Sequence, residues 1–512
     1  MTRPILSGAL AAAAAALLAL SSGAEAQEPK RGGTLVAAFS ADPGGFDPAR
    51  GPSGMSHVVI EQVYGTLLNL DENAVPYAGL AESWEQSADG LTWTFKLREG
   101  LKFHNGDPLT AEDVKFTFDR IRAPDSGYAY LSQVETIAEV NVLDPLTVEF
   151  KLSRPTGPFE IYMAFPGSSI VPKKLVESGH DLNAQPIGAG PFKFVSYTPR
   201  NAIVFERNPD YHEAGKPYLD GLEYRIIADP TALANGLRSG EIQFSNEVPP
   251  KDWASIVGQP NMVDAAIEGS RYYWLIPNHT VAPLGDPKVR QAISMALNRQ
   301  AIVRGAFFGQ ATPIVGGVIP EWNWAYAGIE AVPPQGDVEA AKKLLAEAGV
   351  APGTPLKLTM VSSWPPMMSM APIIQANLAQ IGFQATIDTM EVPRYWDEVW
   401  GPSNFDLTAM YWLSPLADPD DFVTNTYLST SPVNTQKGGS AAMDELLIAA
   451  KSAVTVEERK ELYRRQQELS LETMDVIPLV NGWVLTAHTD RLKGFKPMRT
   501  GFLKTLKDAW LE

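Results

Sequence analysis

No cysteine occurs among the 512 residues. That single absence excludes disulfides, thiolate-bound metals and the cysteine-borne lipid of anchored bacterial secreted proteins. Basic charge is also in deficit: 42 Lys and Arg face 59 Asp and Glu, a net charge of −17, and no basic run offsets it. Such a chain repels a nucleic-acid backbone or an anionic membrane surface at long range, so neither is expected as a partner. Beyond the first 26 residues no apolar run reaches the ~18 residues a membrane span needs. Catalytic signatures are missing too. His212-Glu213 lacks the second His of a metalloprotease helix, and neither a G-x-S-x-G elbow nor a Walker phosphate loop occurs. The "IGAGP" turn, Ile187 to Pro191, fails as a dinucleotide fingerprint because Pro191 follows the second glycine and no helix opens there. Glycosidase-type carboxylate pairs are distant along a chain and stay open.

What is present begins with a leader. "MTRPILSGALAAAAAALLALSSGAEAQ" carries Arg3, an apolar run to Leu20, then small residues ending in Ala24-Glu25-Ala26. This is the pattern of a cleaved secretory signal peptide, with the mature chain starting at Gln27 in the bacterial periplasm, free rather than lipid-anchored. The whole chain is 45% hydrophobic and rich in aromatics, with 12 Trp, 16 Tyr and 20 Phe. A chain of this length exceeds one hydrophobic core, so two lobes are expected.

Strand and helix signals interleave irregularly, which predicts a mixed α/β chain. "GTLVAAF" (Gly33 to Phe39) reads as a strand running into the Gly/Pro-rich loop "SADPGGFDPARGPSG". Trp93, Phe95 and Leu97 alternate with polar residues at strand period. Thr110 with Asp113 forms a capping box before Val114, Phe118 and Ile121 at helical spacing. Asp286-Pro287, Asp337 and Thr455 with Glu458 open three further helices. "YYWLIPN" (Tyr272 to Asn278) and the strand Ile477 to Trp483 read as two antiparallel crossings between lobes, a hinge.

Several stretches together resemble the extracellular solute-binding proteins of family 5, the dipeptide- and oligopeptide-binding type of ABC importers. The stretches run from "VYGTLLNLDENAVPYAGLAESW" through "GLTWTFKLREGLKFHNGDPLTAEDVKFTFDRI", "IGAGPFKFVSY", "ERNPDYH" and "DPKVRQAISMALNRQAIV" to the late "IPLV", in the family's order. The resemblance implies a two-lobed periplasmic-binding-protein fold, class II-like, of the large cluster with an extra subdomain, its mixed sheets joined by a two-crossing hinge. The expected divisions are residues 27–273 for lobe 1, with an inserted subdomain at roughly 75–185, residues 274–481 for lobe 2, and 482–512 as a return segment completing lobe 1. It further implies a cofactor-free, non-enzymatic receptor, acting as a monomer, that passes a small solute to an ABC importer permease in the inner membrane.

"MYWLSPLADPDDF", Met410 to Phe422, sets two aromatic rings ahead of three carboxylates. A calcium loop fails on spacing, since the positions that need Gly and Glu hold Val423 and Ser429. Asp418 reads as a helix cap, with Pro419 and two dipole-favourable acids behind it. In the resembled family a Trp at the place of Trp412 walls the cleft, and an Asp three residues later pairs with a peptide's α-amine. Here that position is Pro415. Either Asp418 substitutes, or the solute is not an ordinary peptide with a free N-terminus but an opine, a glycoside, a modified amino acid or another organic solute; the second is favoured. Phe46 and Trp396 stand as cleft wall or packing residue, and Trp483 as hinge or ligand contact. Expected binding residues are therefore Trp412, Phe46, Trp396, Asp418 and Trp483. The rival functions are a secreted hydrolase of sugar or peptide material and a chaperone-like binder of extended segments.

Overall fold

The computed structural model describes residues 28–51, 53–400 and 402–512. The leader read over residues 1–26 lies outside them. Two large sheets organise the chain. One has seven strands, in the order Met262–Asp264, Ala487–Thr489, Phe244–Ser245, Thr34–Phe39, Gly221–Ile226, Ala202–Arg207 and Phe192–Thr198. The other has six: Ala311–Pro313, Ile477–Val484, Ile267–Pro277, Leu407–Leu413, Pro355–Val361 and Gln384–Met390. A four-stranded antiparallel sheet, Ala81–Gln86, Thr92–Leu97, Thr147–Leu152 and Ile137–Asp144, shares the core of the seven-stranded one.

Each central strand is apolar on both faces because each sheet is covered on both sides. In Thr34–Phe39, Leu35, Ala37 and Phe39 pack into the large core, while Ala38 faces a smaller cluster around Leu233, Leu237, Trp253 and Ile256. In Ile267–Pro277, Tyr273 and Leu275 face one cluster, and Tyr272, Trp274 and Ile276 the other. The two-residue period decides which ring meets which core.

Helices begin where short polar side chains accept the first free N–H groups. Asp286 takes the amide of Lys288 at 2.8 Å ahead of helix Pro287–Ala296, and Asp337 that of Ala340 at 2.9 Å ahead of Val338–Glu347. Asp113 closes the capping box by accepting from the Thr110 amide at 2.9 Å.

The chain passes between the large sheets twice. Both passages lie a few residues outside the apolar runs. Strands Ile267–Pro277 and Ile477–Val484 are adjacent antiparallel members of the six-stranded sheet, and the connections fall at residues 265–266 and 485–486, where the amide of Ala265 donates to the Thr486 carbonyl at 2.9 Å. Apolar runs mark buried strands, and the links between the sheets, Ala265-Ala266 and Leu485-Thr486, are only two residues each.

Candidate functional site

The site grows from one register row across the six-stranded sheet. Trp412 sits opposite Tyr272, Tyr272 opposite Asn481, and Asn481 opposite Thr312. Directly opposed residues share a face. Tyr272 is fully buried and stacks on Phe422 with ring centroids 4.2 Å apart, yet its hydroxyl has no hydrogen-bond partner among the described residues. Both polar atoms of the buried Asn481 side chain are likewise unpartnered among them, as is Trp322 Nε1. Unpaired buried polar groups cost about 1–3 kcal/mol each, so a concentration of them marks a place built to receive something polar.

After Leu413 the chain leaves the sheet and reaches the other half of the molecule. Ser414 exchanges hydrogen bonds with Ser270, its amide donating at 2.9 Å and its carbonyl accepting at 2.6 Å, and Leu416 is buried in the core of the seven-stranded sheet. The opposite side contributes Arg499, whose backbone carbonyl accepts from the Ser270 amide at 2.8 Å. Its guanidinium lies 4.9 Å over the Trp322 ring and donates to the Glu268 carbonyl at 3.0 Å.

The three acids separate by partner. Asp418 is buried and grips Arg459 through both oxygens, at 2.6 and 3.1 Å, and also accepts the Asp420 amide at 2.9 Å. Asp420 accepts from the Tyr162 hydroxyl at 2.5 Å and from Thr424 at 2.8 Å, with the Lys451 ammonium 3.9 Å away. Asp421, only 7% exposed, accepts from Trp412 Nε1 at 3.2 Å. No cation lies within 4 Å of it among the described residues. Burial is the main cause that raises its carboxyl to about 7; hydrogen bonds from Trp412 and Ser414 oppose it, and the charges of Asp420 and Asp418 add to it.

The expected binding residues are thus distributed unevenly. Trp412 is in the row and positions Asp421. Asp418 cannot stand in for the missing amine anchor, because Arg459 already occupies both oxygens: it holds the loop, as its cap role requires. Trp483 donates from Nε1 to Thr312 at 3.1 Å while packing against the cluster around Leu485, so it touches both sides of the passage. Trp396 is 40% exposed with Tyr395 and Trp400 as its ring neighbours. Phe46 packs on Phe194 and Tyr197, beside a cavity of about 500 Å³ that Asn183 to Ile187 also line. Neither of these two belongs to the row. Asp421, Tyr272, Asn481, Trp322 and Arg499 were not singled out from sequence. Two acids after Asp418, where one satisfies a helix dipole, were the available signal.

Comparison with known proteins bears on what such a place could receive. Residues 75–434 match the model of the bacterial extracellular solute-binding proteins, family 5. The chain belongs to that family. Di/tripeptide-binding protein 2 of Pseudomonas aeruginosa is 32% identical, covering 94% of this chain and 95% of its own. Among solved structures, the ABC transporter-associated periplasmic binding protein DppA from Helicobacter pylori, in complex with the peptide STSA, superposes with a TM-score of 0.81 at 29% identity, over 94% of this chain and 99% of that one. AgaA of A. tumefaciens R10, in complex with agropinic acid, gives 0.80 at 30% identity, with coverage of 94% and 99%. The family 5 protein described here is therefore a two-lobed solute-binding component of an ABC transporter and not an enzyme. The hydrolase reading finds no support in its relatives.

Proposed function

We propose that this family 5 protein captures a small organic solute in the periplasm, between its two lobes, and delivers it intact to a permease of the inner membrane. The leader would be removed after Ala26, leaving a free monomer without lipid. Lobe 1 would comprise residues 27–264 with the return segment 487–512, its inserted subdomain falling at roughly 75–185, and lobe 2 residues 267–484, a few residues off the divisions at 273 and 481 expected from sequence because strands Ile267–Pro277 and Ile477–Val484 lie wholly in the six-stranded sheet; the links at 265–266 and 485–486 would serve as the hinge. Relatives bind di- and tripeptides or agropinic acid, so peptides, opines and modified amino acids form the candidate set, with glycosides beside them.

The observation that carries this reading is the set of unpartnered polar groups on and beside that row, those of Tyr272, Asn481 and Trp322, walled by Trp412. A solute held at about micromolar affinity needs roughly −8 kcal/mol, within reach of desolvated aromatic contact plus a few satisfied hydrogen bonds. Melting curves against a solute library test it: a receptor shows a selective rise in Tm, since a ligand bound only by the native state stabilises it. Consumption of a solute at catalytic turnover would defeat the proposal, and an unselective rise with extended hydrophobic peptides would favour a chaperone. For the solute found, Trp412→Ala should weaken binding at least tenfold with Tm little changed; unaltered affinity by calorimetry would move the cleft elsewhere.

A further inference from the structure

Two charged groups beside Tyr272 lack partners of opposite sign. Asp421 is almost wholly buried and meets no cation within 4 Å among the described residues, although its two acidic neighbours are served by Arg459 and Lys451. Arg499 is half-buried against Trp322 and reaches only a backbone carbonyl; no carboxylate lies within 4 Å of it among the described residues. The two do not pair with each other. The Tyr272 hydroxyl lies in the field of both and is bonded to neither, on the residue directly opposite the Trp412 that holds Asp421.

An isolated buried charge is unfavourable by several kcal/mol unless a counter-charge and hydrogen bonds accompany it. The two groups come from opposite sides of the junction, Asp421 from the loop after strand Leu407–Leu413 and Arg499 from the return segment. They are also of opposite sign, and a single bridging molecule satisfies both. Trp412 lies against Asp421 through its own N–H, so an ammonium entering there meets a carboxylate and the aromatic wall that strengthens cation binding. The planar guanidinium of Arg499 keeps free N–H groups for a carboxylate.

We infer that the solute is a zwitterion whose cationic end is received by Asp421 and whose carboxylate is received by Arg499. This rests on reading the junction as the solute cleft. It restores, from a different residue, the amine anchor that Pro415 does not provide. Peptides with a free N-terminus therefore return to the candidate set, against the expectation from Pro415 alone.

Alanyl-alanine, trialanine and glutathione, each beside its N-acetylated and its amidated form, provide the test by calorimetry on the full mature protein. At least one free-amine form should bind, and its N-acetylated form should bind at least 30-fold more weakly. Asp421→Asn should lose at least 30-fold for the free amine and leave the acetylated form unchanged. Arg499→Gln should lose at least tenfold for the acid and nothing for the amide. Melting curves of both variants establish that they fold. Equal affinity for acetylated and free forms, or wild-type affinity in Asp421→Asn, overturns the assignment. So does a failure of every amine-bearing probe. In that last case a selective Tm rise with a glycoside or other uncharged solute leaves the receptor reading standing while this assignment falls, and no rise with any solute class counts against both.

Discussion

Asp418 and Asp421 stand three residues apart on one loop, and the side chain that meets each decides what it does. Asp418 is matched by a bidentate guanidinium that itself lies 4.9 Å over Trp324 and 5.7 Å over Tyr463. Arg459→Met would leave that carboxylate buried and alone, and should destabilise the protein by about 3–5 kcal/mol in urea unfolding; adding Asp418→Asn should recover most of the loss. Asp421 gives the opposite sign. Its carboxyl titrates near 7 in the folded protein and near ~4 unfolded, so the native state holds that proton more tightly. The stability this contributes is complete below about pH 4 and is lost as pH rises toward 7. Without solute, Asp421→Asn should therefore be more stable than wild type at pH 8, by about 1–3 kcal/mol, and equal to it near pH 4. The groups that face this carboxyl, Asp418, Asp420, Trp412, Ser414, Tyr130 and Tyr272, are common to both proteins, as is Lys451 behind Asp420. Thermal melts across pH would show it, and a constant difference at all pH would refute the role of the charge.

The helix Ala441–Ser452 ends on the group that holds the halves together. Lys451 donates to the Ser132 carbonyl at 3.0 Å, lies 3.7 Å from Glu135 and 3.9 Å from Asp420, and its own carbonyl accepts from Gly157 at 2.8 Å. The approach is close: a Cβ on Gly157 would come within 2.4 Å of the Ala453 carbonyl. Lys451→Met should favour the open form, raising the radius of gyration of the solute-free protein in X-ray scattering and weakening solute affinity several-fold, about 1 kcal/mol. Thr455, which accepts the Glu458 amide at 3.2 Å, starts the next helix, Val456–Thr473, and its replacement by Ala should lower stability by about 1 kcal/mol. Caps of this kind were legible because donor and acceptor are two or three residues apart. The short links between the sheets were not, because two-residue segments such as Ala265-Ala266 and Leu485-Thr486 are too short to carry a pattern of their own, and the runs that suggested crossings were the buried strands on either side. The five-residue turn Asp420–Thr424, wider than an α-helix, was likewise hidden within what reads as an ordinary capped start.

For the molecule as a whole, alternation and helix spacing foresaw the mixed sheets and chain length the two lobes, while the delivery partner came only with the family. The site was the least visible part. Trp412 was singled out by its position in the resembled family, but the pairing of Asp418 with Arg459, and the isolation of Asp421 and Arg499, depend on segments that meet only after folding. No local pattern tells a paired carboxylate from an orphan one. Closure around a guest must also be reversible, which suits halves joined by a modest polar latch and two short links rather than a continuous core. Saturating solute at a hundred times its Kd should add about 2.7 kcal/mol to the unfolding free energy, readable as a concentration-dependent Tm.

The two links between the sheets have a practical corollary. They lie side by side, one backbone hydrogen bond apart, so everything from residue 266 to 485 hangs from neighbouring points on the remainder. A segment attached in that way can be excised and exchanged as a cassette, with a tight turn closing the gap it leaves. Chimeras joined at these two points, carrying a relative's segment on this frame, offer a route to reprogramming which nutrient is recognised while preserving most of the surface of the other half.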